Sequence, residues 1–225
     1  IKRDPQFGFT GDASQKAGGA YSHKLRLWWD AIWPERYYAR CKLPSKHPDF
    51  LHINLLEFVV VIMSVAAATT WLEDDSSSSI CHRDLQIPAI PVCKLKTDNE
   101  SVRSWVHKVA ARSEKGQRLV QIYAEMLHRS ECVFPIEHLA GDKNILADCI
   151  LRPDDTNLSC SLRHEQIFLT DARTQSYDYF QVSPALLLLL DCALFSNEWA
   201  GQPKLPKQLG LIVPAGHTTS YSSWP

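Results

Sequence analysis

No Cys-x-x-Cys pair occurs among the seven cysteines, which stand at 41, 81, 93, 132, 149, 160 and 192. That excludes a zinc ribbon or thioredoxin-like redox motif, and an odd, scattered set predicts reduced thiols in an intracellular setting, cytoplasmic or nuclear. A signal-peptide pattern is also missing. The chain opens Ile1-Lys2-Arg3-Asp4 and reads as a piece cut from a longer polypeptide. The longest apolar run, Phe58 to Leu72, is shorter than the roughly 20 residues of a membrane span and has Glu57 at its start, so a buried helix is predicted and no membrane partner. A net charge of -1 removes any whole-chain case for nucleic-acid binding. No internal repeat is present.

What remains is enough for a core. At 225 residues and 45% hydrophobic, the chain predicts one principal domain with an appendage. Charge is uneven: residues 1–47 carry nine Lys and Arg against four Asp and Glu, and residues 94–130 carry eight against four. Two basic regions suit a polyanion held beside carboxylates, or are simply solvated faces.

Phe7 to Ser14 reads as a strand, and Lys16-Ala17-Gly18-Gly19 as a turn into Ala20-Tyr21-Ser22. Asp12 lies near the mouth of this hairpin, as a turn aspartate or as a ligand. The Trp- and Tyr-rich stretch from Leu25 to Pro48 reads as core packing or as a stacking surface. A helix is predicted to begin near Asn54, where Asn54 and Glu57 resemble a capping box. Glu57 is otherwise a carboxylate among apolar residues, which requires a partner or a metal. Ile87 to Leu95 reads as an apolar strand, followed by Asp98 at a strand-to-helix junction and a helix capped by Asn99, whose inward face is Val102, Trp105, Val106, Val109 and Ala110. A second helix faces inward through Leu119, Val120, Ile122, Tyr123, Met126 and Leu127.

Phe134 to Arg152 is the most informative stretch. It reads as a short strand, a polar loop and a helix with Ile145, Leu146, Cys149 and Ile150 at helical spacing. His138 and Asp148 bracket the loop, either as an imidazole over a carboxylate or as a strand-end residue and a solvated acid. Asn144 would cap the helix in the second case. Beyond Pro153, Ser183-Pro184 opens a short apolar helix to Phe195, and residues 201–225 read as a tail.

Four ordered motifs within residues 7–152 resemble the ribonuclease H domain of retroelement reverse transcriptases, gypsy-like or DIRS-like. They are Thr10-Gly11-Asp12-Ala13-Ser14 with Gly18-Gly19-Ala20-Tyr21; Asn54-Leu55-Leu56-Glu57; Thr97-Asp98-Asn99; and His138-Leu139-Ala140-Gly141 with Asn144 and Ala147-Asp148 to Arg152. The resemblance implies an α/β, ribonuclease H-like fold, a five-stranded mixed sheet flanked by helices, over residues 1–152. Residues 153–225 are left as a mostly irregular extension or linker with one helix near 184–195. It implies a catalytic and metal-binding cluster of Asp12, Glu57, Asp98 and Asp148, with His138 assisting proton transfer or product release. Two Mg2+ ions, with Mn2+ as the alternative, would serve hydrolysis of the RNA strand of an RNA/DNA hybrid. No small-molecule cofactor is implied. Nucleic-acid contacts would come from Asn54, Asn99 and Asn144, with Lys96, Arg103 and Lys108 near phosphates, and an upstream polymerase domain in the same polyprotein would be the partner.

Two other readings compete. One is a catalytically inactive module of the same fold, structural or nucleic-acid-binding; the other is a nuclease or transposase of that fold acting on DNA.

Overall fold

A hairpin opens the fold of the computed structural model, which describes residues 4–74, 90–144, 147, 177–199 and 201–214. Strand β1 (Phe7–Ala13) turns through Ser14, whose hydroxyl accepts from the amides of Lys16 and Ala17, into the antiparallel β2 (Ala17–Ser22). The turn is thus Ser14 to Lys16, and Gly18-Gly19 lie inside the strand rather than in the predicted turn. Gly11 and Gly18 allow close packing: a Cβ on Gly11 would sit 2.6 Å from the Val60 side chain, and one on Gly18 would sit 2.3 Å from the Trp33 ring and 2.8 Å from Val60.

Val60 belongs to α2 (Ile53–Glu73), the helix on which the core is built. Sixteen of its 21 residues are buried, because β1 and β2 cover one side and further helices the other. By length and composition it equals a membrane span, yet it is enclosed by the protein's own elements. It starts one residue before the predicted Asn54, since His52 is the N-cap and its Nδ1 accepts from the Asn54 amide at 3.1 Å. Glu57 is therefore a second-turn residue with no capping role.

Strand β3 (Leu27–Ile32) and helix α1 (Glu35–Cys41) account for the aromatic stretch, with Trp29 and Tyr37 fully buried. Strand β4 (Cys93–Thr97) begins later than predicted; residues 87–89 lie outside the described part. Asn99 caps α3 (Glu100–Lys108), as expected, by accepting from the Val102 amide at 3.1 Å. That helix stops before Val109, which is half-exposed with φ 49° rather than on the inward face. Helix α4 (Glu114–Arg129) buries the predicted residues apart from Leu127, which is partly buried against the core. Strand β5 (Ile136–His138) follows.

The sheet has seven strands rather than five, in the order β5-β4-β1-β2-β3-β6-β7. The additional two, β6 (Asp178–Val182) and β7 (Gly210–Val213), come from the stretch expected to be irregular; β6 pairs in parallel with β3, and β7 antiparallel with β6. Between them α5 (Pro184–Phe195) has Ser183 as N-cap, as predicted, and buries Leu186, Leu187 and Leu190 against α4. Arg118 of α4 donates to the Ser196 carbonyl at 2.6 Å, and Arg129 to that of Pro206 at 2.7 Å, fastening the segment along that helix.

Candidate metal centre

Strand direction gathers the polar residues. β1, β4 and β5 run parallel, with Thr10 opposite Lys96 and Thr97 opposite His138. The ends of these strands therefore lie along one edge, placing Asp12, Asp98 and His138 together, where open sheets present ligand-binding residues. Helix α2 supplies the third acid. Val60 seated over Gly11 brings Glu57, nearly one turn earlier on the same face, to Asp12.

One carboxylate oxygen each from Asp12, Glu57 and Asp98 lie within 4.8 Å of one another, with Asp12 and Glu57 buried and Asp98 half-buried. The Ala13 amide donates to Asp12 Oδ1 at 2.7 Å. Glu57 Oε2 is buried without a hydrogen-bond partner. Burial first, then the charge of Asp12, the hydrogen bond shared with it and the charge of Asp98, push the Glu57 carboxyl up to about 10. Crowded acids and an orphaned buried oxygen match the hard-oxygen donor set that a divalent cation takes. The triad thus fits a metal site. Asp148, the fourth predicted acid, lies outside the described residues, as do most of the helix predicted around it and the remainder of that motif; Ala147 is helical and buried beside Tyr21 and Tyr177.

His138 ends β5 rather than riding on the loop. Its Nε2 lies 3.1 Å from the Asp98 carbonyl and its Nδ1 3.8 Å from a Glu100 carboxylate oxygen. The imidazole thus adjoins the triad. Asn54 and Asn99 brace each other, Asn99 Nδ2 donating to Asn54 Oδ1 at 3.0 Å, which ties the first turn of α2 to the Asp98 junction.

The predicted nucleic-acid contacts separate into groups. Lys108 and Asn54 line a groove of 860 Å³ with Phe50, Trp105, Arg112 and Lys115. Phe50 had no sequence signal, and Trp105 had been assigned to the inward face; it is partly buried, its ring set edge-on to Phe58 at 5.8 Å. Lys96 instead lines a separate 350 Å³ pocket with Tyr21, His23, Lys24 and Lys94. Arg103 is paired with Glu100 at 3.0 Å. Asn144 is buried, with only 1% of it exposed and neither side-chain polar atom hydrogen-bonded.

The chain matches no protein-family model, no curated protein and no solved structure.

Proposed function

We propose that this chain is a metal-dependent ribonuclease H of a retroelement reverse transcriptase, hydrolysing the RNA strand of RNA/DNA hybrids. The observation that carries this reading is the convergence of Asp12, Glu57 and Asp98, three acids from three separate elements, on one point. Strands β1 to β5 with helices packed on them support the fold that the four motifs imply. Asp12, Glu57 and Asp98, with Asp148 as the fourth ligand, would hold two Mg2+ ions, which when bound supply an activated water and charge stabilisation at the scissile phosphate.

The protein's own groups do the rest. Glu57, held neutral by burial beside Asp12, would have to release its proton to solvent to serve as a cation ligand. The Ala13 amide fixes the orientation of Asp12. His138, held to the Asp98 backbone, is at hand to carry a proton to or from the reacting oxygens. The groove bounded by Asn54, Trp105 and Lys108 begins at the Asn54–Asn99 brace beside Asp98 and provides an aromatic and cationic seat for the hybrid. Hybrid recognition requires detecting 2′-OH groups on one strand only, which the paired amides of Asn54 and Asn99 are suited to do.

The test is cleavage of a labelled RNA/DNA hybrid with Mg2+ by the wild type and by Asp98→Asn. Cutting by the first and not the second is expected. A wild type that binds hybrid but never cuts it, even with a polymerase domain restored upstream, sinks the enzyme reading in favour of an inactive binding module. Equal cutting of duplex DNA would move the assignment to a DNA nuclease.

A further inference from the structure

The long segment between the first two acids builds a surface of its own. Helix α1 is clamped to the β1–β2 turn by Trp33, whose indole donates to the Ser14 carbonyl at 2.9 Å and whose amide donates to the Lys16 carbonyl at 2.8 Å. Trp33 also stacks on Tyr37, with ring centroids 6.3 Å apart and planes at 21°. The clamp sets the turn and the helix in a fixed relation. Two exposed lysines then converge on one half-buried ring: Lys42 Nζ is 4.0 Å and Lys16 Nζ 5.8 Å from the centroid of Tyr38.

Neither lysine has a carboxylate within ion-pair distance among the described residues. The other cations of α1 are already engaged. Arg36 is paired with Asp191 at 2.6 Å, and the Arg40 guanidinium lies over the Phe195 ring at 4.2 Å. Between Glu35 and Asp49 the sequence has no acid. Two ammonium groups held at one ring with no acid paired to them make a locally positive surface that attracts an anion. Lysine, a compact point charge, suits a phosphate oxygen, while the ring edge suits a sugar or base.

Position names the anion. Lys16 is four residues after Asp12 in the same hairpin, so its backbone lies at most about 14 Å away. A nucleic-acid strand rises about 3.4 Å per nucleotide, which makes that distance at most about four nucleotides.

We propose that Lys16, Tyr38 and Lys42 form a backbone-binding site that grips the substrate within about four nucleotides of the carboxylate triad. This rests on the nuclease reading for the identity of the polyanion. The site is distinct from the Trp105 groove, and it gives the Trp-rich segment a purpose beyond packing.

The experiment is equilibrium binding of a fluorescent RNA/DNA hybrid to the full chain, without divalent cations, over a series of salt concentrations. Two phosphate contacts contribute about 1.8 to the slope of log affinity against log salt. Lys16→Ala/Lys42→Ala should lose that increment, so that between 50 and 200 mM salt its affinity falls about twelvefold less than that of the wild type. Lys16→Arg/Lys42→Arg should restore the slope. Lys16→Gln/Lys42→Gln repeats the measurement should the alanine protein fold poorly, as judged by its melting curve. A wild-type slope in the neutral variants overturns the site while leaving the nuclease reading intact. If the wild type binds no hybrid even with a polymerase domain restored upstream and Mg2+ added, both fall.

Discussion

Glu57 and Asp191 are acids on helices of the same core, and the protein treats them oppositely. Asp191, on α5, receives the Arg36 guanidinium at 2.6 Å and the Tyr37 hydroxyl at 3.1 Å. Glu57, on α2, has two further carboxylates beside it and one oxygen without a hydrogen bond. The first acid has its counter-charge built in; the second is surrounded by its own sign. A buried carboxylate in that position destabilises the fold unless it holds a proton or a cation from outside. Asp191 is thus satisfied within the fold, whereas Glu57 has the surroundings expected of a cation ligand.

The widest separation of the two regions is in activity. Asp98→Asn should lower hybrid cleavage by at least about a hundredfold, the usual scale for removing a preorganised charge-stabilising group, with folding retained by circular dichroism. Full cleavage by that variant would make the triad an incidental cluster. On the other side, Leu190→Ala, on the buried face of α5, should cost about 2–5 kcal/mol in denaturant unfolding while leaving Mg2+-dependent stabilisation intact. An effect near zero would mean that β6, α5 and β7 are attached to the core without supporting it.

Much of this contrast was legible in the residues, and what was not has physical causes. Asp12 and Glu57 each had a local explanation, a turn and a capping box, and Asp98 stood at a strand-to-helix junction; the four ordered motifs singled them out together, and the parallel register of β1 and β4 brings Asp12 and Asp98 to one edge. Gly18-Gly19 misled because glycine pairs signal turns, whereas here both lie inside β2 and Gly18 leaves room for Trp33 and Val60. His52 went unnoticed because N-caps are sought among Ser, Thr, Asp and Asn. β7 was missed because four residues in a proline-rich stretch carry no periodicity; pairing with β6 makes them a strand. The Asn144 side chain reads as a cap or a contact in sequence, and its burial is visible only in three dimensions.

Protonation sharpens the comparison further. The Glu57 carboxyl is raised in the folded protein, so between its ordinary range and about 10 the unfolded chain has released a proton that the folded one keeps. Stability of the metal-free protein should therefore be greatest at acid pH on this account and fall as pH rises through that window. A divalent cation at the triad would require the acids to be deprotonated, so a Mg2+-induced rise in Tm should grow over the same window. Glu57→Gln should flatten both trends and raise the metal-free stability near pH 8 by about 1–3 kcal/mol, the scale of relieving one poorly satisfied buried polar group. Thermal melts from pH 5 to 9, with and without Mg2+, read all three. A Gln variant less stable than the wild type without metal would show that Glu57 is held by contacts favourable to its charge.

Asp191→Asn is the smallest expected change and the control for that series. The substitution keeps an oxygen to accept from Tyr37 and removes only the charge facing Arg36, whose side chain is 44% exposed. Ion pairs of that exposure contribute about 0.2–1 kcal/mol, so Tm should drop by a few degrees at most. The charge it removes lies on α5 against α1, away from the strand edge where the triad gathers, so the Mg2+-induced shift should equal that of the wild type. If Asp191→Asn abolished that shift while Glu57→Gln kept it, the roles of the two acids would be reversed, and the cation would belong at the α1–α5 interface.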